Sequence, residues 1–242
     1  MRDFDTTHII LLAVTAAFAL LSCYAVSRMS RRWQNVTFVF GAFMVAAGIF
    51  FRYGWGLSFG GEISWQTLGL QMLQVCNFNL ILVLLMLVPK FELARQYSVF
   101  FSMFAAFTTL VSIPNVWQNH LWHSPEILNS WLNHVFAIWL PLWMVAARRL
   151  KPRREYVLPV TGCVVGYFSV VAALSALLIK SGVITAQTSY SFVYNTEGIG
   201  VFEILRRLIP LPYFYLWPLV PFMMAFFWLL ARVFRKFKTG KF

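Results

Sequence analysis

The chain reads as an all-α, polytopic membrane bundle of seven transmembrane helices, with the N-terminus outside and the C-terminus cytoplasmic. Three observations lead there. Of 242 residues, 60% are hydrophobic and only 12% charged, about half the charged share of a soluble domain. Apolar runs recur near the length of about 20 residues that spans hydrocarbon, without the short alternating segments of a lipid-facing barrel. Lys and Arg gather at alternate run ends, as orientation signals do. No sizeable loop separates the runs, so residues 1–242 are read as one transmembrane domain.

The first helix is expected over residues 8–27, followed by Arg28, Arg31 and Arg32. The second is expected over 35–55, and the loop after it holds Glu62 and no Lys or Arg. The third, 65–88, is closed by Pro89-Lys90. The fourth, 97–113, ends at Pro114-Asn115, before a loop with Trp117, His120, Trp122 and His123. The fifth, 127–147, precedes Arg148, Arg149, Lys151, Arg153 and Arg154. The sixth is expected over 156–179 and the seventh over 212–233. Fifteen of the 20 Lys and Arg residues then fall on one side, leaving Arg2, Arg52, Lys180, Arg206 and Arg207 on the other. The positive-inside rule makes the richer side cytoplasmic. Six helices would make the two sides disagree.

The net charge of +12 is spread over these helix ends, so membrane orientation explains it and no nucleic-acid partner is expected. Cys23, Cys76 and Cys163 lie inside apolar runs, which argues against a disulfide framework and a metal-type spacing. Arg2-Asp3-Phe4-Asp5 lacks the basic flank of a cleaved signal peptide.

Two further patterns concern packing. Gly162-Cys163-Val164-Val165-Gly166 has the GxxxG spacing that permits close helix approach in lipid. Intramolecular packing is the expected use, with Cys163 as a small packing residue and a homodimer face as the alternative. Residues 198–209 place Val201, Ile204, Leu205 and Leu208 on one face and Glu203, Arg206 and Arg207 on the other. That is an interfacial amphipathic helix, with Glu203 and Arg207 at ion-pair spacing. It would rest on the headgroups, or act as a lid whose Arg206 or Arg207 contacts a lipid phosphate.

Chemistry is expected in the third and fifth helices. The third carries Gln66, Thr67, Gln71, Gln74, Cys76, Asn77 and Asn79, more amides than interhelical bonding alone requires, so a polar cavity is implied. The fifth holds Ser130, Asn133 and His134 at membrane depth, and an ionisable group there is a functional candidate by default. At 1.5 Å per residue, Cys76 lies roughly 16 Å and His134 roughly 11 Å from the outer ends of their helices. The two can share a level in the outer half of the membrane. A Cys–His pair there is an activated nucleophile. An inert thiol and a structural or proton-carrying histidine are the plainer alternatives. His120 and His123 could bind a metal only if helical, and an interfacial role beside Trp117 and Trp122 is the simpler reading.

Five segments carry a family resemblance: Thr7-His8 opening the first helix, Leu73-Gln74-Val75-Cys76-Asn77, Ile113-Pro114-Asn115, His134-Val135 followed by Pro141, and Thr188-Ser189-Tyr190. From His8 to about Trp217 the chain resembles the YwaF-type bacterial membrane proteins and their eukaryotic relative, transmembrane protein 164, an acyltransferase of phospholipid remodelling. The resemblance implies a Cys76 nucleophile and a His134 base. It departs at Gln74, where many bacterial members have His, and at Ser189, where Asn is usual.

Two functions follow as expectations. One is a membrane-embedded acyltransferase acting on phospholipid or related lipid esters, in the plasma membrane, with no cofactor or metal. Cys76 and His134 would react, and Gln74, Asn79, Asn115 or Asn133 would support the oxyanion. His8 and Tyr190 join the site through the resemblance, and Arg206 and Arg207 would meet the headgroup. The other is a non-enzymatic bundle that binds or transports a lipid or small solute in the same cavity. No H-E-x-x-H, G-x-S-x-G or P-loop is present, and no inverted repeat supports a transporter.

Overall fold

The computed structural model describes residues 5–54, 70, 72–112, 121–186, 190–196 and 198–234. Among them every regular element is a helix. In chain order these are α1 (Thr6–Arg28), α2 (Arg31–Gly54), α3 (Val75–Leu85) and α4 (Glu92–Tyr97). A π-helical segment, Ser98–Ser102, joins α4 to α5 (Met103–Val111). Then come α6 (Pro125–Ala146), α7 (Val157–Lys180), α8 (Gly200–Leu208) and α9 (Leu219–Val233). Short 3-10 turns, Arg154–Tyr156 and Phe214–Leu216, lead into α7 and α9.

The ends of these helices follow from local chemistry. Asp5 caps α1 by accepting the His8 backbone N–H at 2.8 Å. Ser124 caps α6 through Ile127 N–H, with Pro125 in the first turn, where a missing N–H costs nothing. Pro141 inside α6 cannot donate to the Ala137 carbonyl one turn back.

The bundle is organised around α6, which packs against α1, α2, α3, α5 and the π-segment. Its buried face runs from Ile127 through Trp131, Val135 and Leu140 to Trp143 and Val145. The outer helices are built the opposite way. The long, apolar α1 buries only His8 and Val26, and it leaves Leu20 and Leu21 at least 70% exposed. Water would penalise such a surface, and lipid does not. Four helical stretches, Thr6–Arg28, Arg31–Phe51, Arg154–Lys180 and Phe214–Val233, are long and apolar enough to cross a membrane.

Two expectations change. The third helix does not run as one piece from residue 65. Residues 72–74 form a turn, and α3 starts at Val75 with Gln74 extended at its N-cap; residues 55–69 and 71 lie outside the described set. Among the described residues the GxxxG face of α7 has no packing partner, since a Cβ built on Gly162 or Gly166 meets none of their atoms within 4 Å. Cys163 between them is exposed rather than packed. The carboxylate of Glu203 on α8 accepts the Thr196 hydroxyl, which ties this helix to the chain before it.

At the end that carries Arg148–Arg154, a polar clasp joins α4 to the segment after α6. Arg95 lies 3.5 Å from Glu92 and donates to the Arg149 carbonyl at 2.5 Å. Gln96 donates to the Lys151 carbonyl at 2.9 Å and accepts the Arg153 N–H at 3.0 Å. Burial lowers the affinity of the Arg95 guanidinium for its proton, and Glu92 opposes this.

Candidate functional site

The break before α3 sets Cys76 in the first turn of a helix rather than at its middle. The conformation is held from far along the chain by Ser191. The Ser191 hydroxyl accepts the Val75 N–H at 2.7 Å and donates to the Leu73 carbonyl. Its own N–H donates to Gln74 Oε1 at 2.9 Å. Ser191 and Phe192 both adopt positive φ, 53° and 62°, an uncommon region for residues other than glycine that marks a constrained segment. Tyr215 donates to the Phe192 carbonyl, and Tyr167 to the Met72 carbonyl at 3.1 Å. The break is therefore stitched to α7 through Met72 and to the chain before α8 through Ser191. A thiol at a helix N-terminus also sits where the backbone dipole stabilises negative charge.

His134 reaches this sulfur from α6. Its Nε2 lies 3.3 Å from Cys76 Sγ. Its Nδ1 lies 2.7 Å from the Ser130 carbonyl, one helical turn back. A carbonyl only accepts, so Nδ1 carries the proton. Nε2 is left with its lone pair towards the thiol, the tautomer that a base for Cys76 requires.

Two cavities meet at Cys76, which among the described residues is the one that lines both. The first, about 10 Å³, is bordered by Asn79, Ser102, Asn133, His134 and Ala137. That is room for about one water. The second, about 360 Å³, runs between α5, α7, α8 and α9 and has the capacity of a small-ligand pocket. Phe101, Phe104, Phe168, Phe192, Phe202 and Trp217 are among its walls. Polar chemistry and apolar volume therefore adjoin at one cysteine.

The other expected residues divide. Asn133 lines the small cavity, buried and pressed on Gly48. Asn79 lines it too, with its Oδ1 accepting the Tyr97 hydroxyl at 3.1 Å. Gln74 is used by Ser191 and works as a positioner. His8 lines neither cavity. It lies 2.7 Å from the Leu110 carbonyl through Nε2, edge-on to Trp131 at 6.1 Å. Tyr190 is partly buried beside the Ser191 turn and lines neither cavity. Arg206 donates to the Tyr194 carbonyl and lies over the Tyr215 ring at 5.8 Å, so it braces α8, while Arg207 is exposed. Asn115, His120 and Ser189 lie outside the described residues. Among the described residues no cluster of His, Cys, Asp and Glu could hold a metal.

Sequence reasoning missed Ser102, Ser191, Gly48 and the apolar cavity. Ser102 follows Ser98 by one turn in a Phe-rich helix, and nothing in the sequence sets it apart. Ser191 acts on residues more than 100 positions away. The π-segment ending at Ser102 has no sequence signature, although such segments often mark functional sites.

No curated protein and no solved structure matches the chain. Residues 4–231 match the TMEM164 family. The chain belongs to the TMEM164 family, and with its long apolar helices it is a membrane protein.

Proposed function

We propose that this protein is an acyltransferase of the plasma membrane that moves a fatty-acyl group from a phospholipid or related lipid ester through a thioester on Cys76. The observation that carries the reading is the sulfur itself. Cys76 Sγ lies 3.3 Å from a histidine nitrogen that can accept its proton, and it opens on an apolar cavity of about 360 Å³. A thiol that only fills space needs neither neighbour.

In the first half-reaction the Cys76 proton passes to His134 Nε2, and the thiolate attacks the ester carbonyl. The S–C bond forms while the carbonyl π pair moves onto oxygen. When that oxyanion collapses, the ester C–O bond breaks, and the departing alkoxide takes the proton from Nε2. In the second half-reaction His134 deprotonates the acceptor hydroxyl, which attacks the thioester. Sulfur leaves as thiolate and recovers its proton from His134. The acyl chain lies along the Phe-lined cavity, and the headgroup meets the exposed Arg207. The seven-span arrangement, N-terminus outside, belongs to this proposal and rests on the distribution of Lys and Arg.

The apolar cavity alone also suits a lipid-binding bundle with no chemistry, and one measurement separates the two. Purified protein incubated with phospholipid is analysed by intact mass before and after hydroxylamine. The enzyme shows an added fatty-acyl mass that hydroxylamine removes and that Cys76→Ala lacks. A binder co-purifies with lipid and gains no covalent mass.

A further inference from the structure

We infer that Ser102 and Asn133 together form the oxyanion site of this reaction, Ser102 through its hydroxyl and Asn133 through its side-chain N–H. The inference rests on the thioester reading and deepens it.

Both groups are buried without a protein partner among the described residues. Ser102 is 0% and Asn133 3% exposed, and neither Ser102 Oγ nor Asn133 Nδ2 has a hydrogen-bond partner among the described residues. Buried polar groups without a protein partner are uncommon. Two of them line the same small cavity, beside Cys76 Sγ and His134. The cavity holds about one water, so a single oxygen placed there is within reach of both donors. An ester carbonyl attacked by Cys76 puts its oxygen on the side away from the acyl chain. The chain fills the large cavity, and the small one adjoins the same cysteine.

The fold holds each donor in place. Ser102 ends the π-helical segment, whose wider turn re-aims the face that follows it. Asn133 sits on Gly48, where an added Cβ would come within 1.9 Å of its Oδ1. Of the other described candidates, Gln74 lines neither cavity, and no side-chain atom of Asn79 is both buried and unpartnered. An oxyanion held between the two donors gains transition-state stabilisation.

The test measures three quantities on the full chain in detergent: Cys76 acylation by p-nitrophenyl octanoate, Cys76 alkylation by iodoacetamide, and the thermal midpoint. Alkylation needs the thiolate but builds no oxyanion. Ser102→Ala and Asn133→Ala are expected to slow acylation by on the order of 10²-fold or more, with alkylation within about twofold of wild type. Ser102→Ala, by removing an unpartnered hydroxyl, is expected to keep or raise the midpoint. Acylation at the wild-type rate in Ser102→Ala overturns the assignment. So does a parallel fall in alkylation, which would make the two residues positioners of the Cys–His pair. If Asn133→Ala fails to fold, Ser102→Ala alone decides. Wild-type protein that is alkylated but never acylated overturns the thioester reading and the oxyanion site with it.

Discussion

His8 and His134 form a natural pair of controls. Both are buried in the bundle, and each has one ring nitrogen 2.7 Å from a backbone carbonyl. They differ in whose carbonyl it is. His8 reaches Leu110, 102 positions away, and so ties α1 to the end of α5. His134 uses a carbonyl of its own helix, which ties nothing together but fixes the tautomer, and its other nitrogen faces a thiol. Burial of a histidine in a membrane bundle is therefore no sign of chemistry by itself. What matters is where the second nitrogen points.

The comparison can be broken by substitution. His134→Ala should lower both acyl transfer and Cys76 alkylation by on the order of 10²–10⁴-fold, with the protein still folded by circular dichroism. Equal rates in the variant would reduce His134 to a second His8. His8→Ala should leave the alkylation rate unchanged and cost about 1–3 kcal/mol of stability, because the Leu110 carbonyl loses its donor. Denaturation in mixed detergent micelles reads this directly.

Two glycines sharpen the same lesson. Gly48→Ala forces the Asn133 amide to move, so it should slow acylation as Asn133→Ala does and cost about 1–3 kcal/mol by overpacking. Gly166→Ala adds a methyl that meets nothing among the described residues and should stabilise α7 by up to about 1 kcal/mol, as expected for helix propensity. Between these falls Ser191→Ala. It removes the cap on Val75 N–H, at about 0.5–2 kcal/mol, and frees the turn that sets Cys76.

Much of this was legible from residue patterns. Each expected span has a helix within the described residues, because apolar length is a strong signal. His134 stood out as an ionisable group in an apolar run, and its partner Cys76 came from the family resemblance. The depth argument put them level on the assumption of a continuous third helix, and that assumption failed. The helix starts at Val75 because Ser191, from the chain before α8, caps it. A contact that distant leaves no local pattern at residues 72–74. Ser102 stayed hidden for a related reason: its significance is the partner it lacks, and only packed neighbours reveal a missing partner. For Arg206, amphipathic spacing named a polar face, and the structure adds that its guanidinium donates to the Tyr194 carbonyl.

The central claim is that Cys76 becomes acylated and passes the chain on. The most direct measurement is acyl transfer between defined phospholipids in proteoliposomes, comparing wild type with Cys76→Ala. The account predicts that transfer in the variant falls to the protein-free background while its lipid binding persists. Full transfer by Cys76→Ala would contradict it and leave the apolar cavity as a lipid-binding site without covalent chemistry.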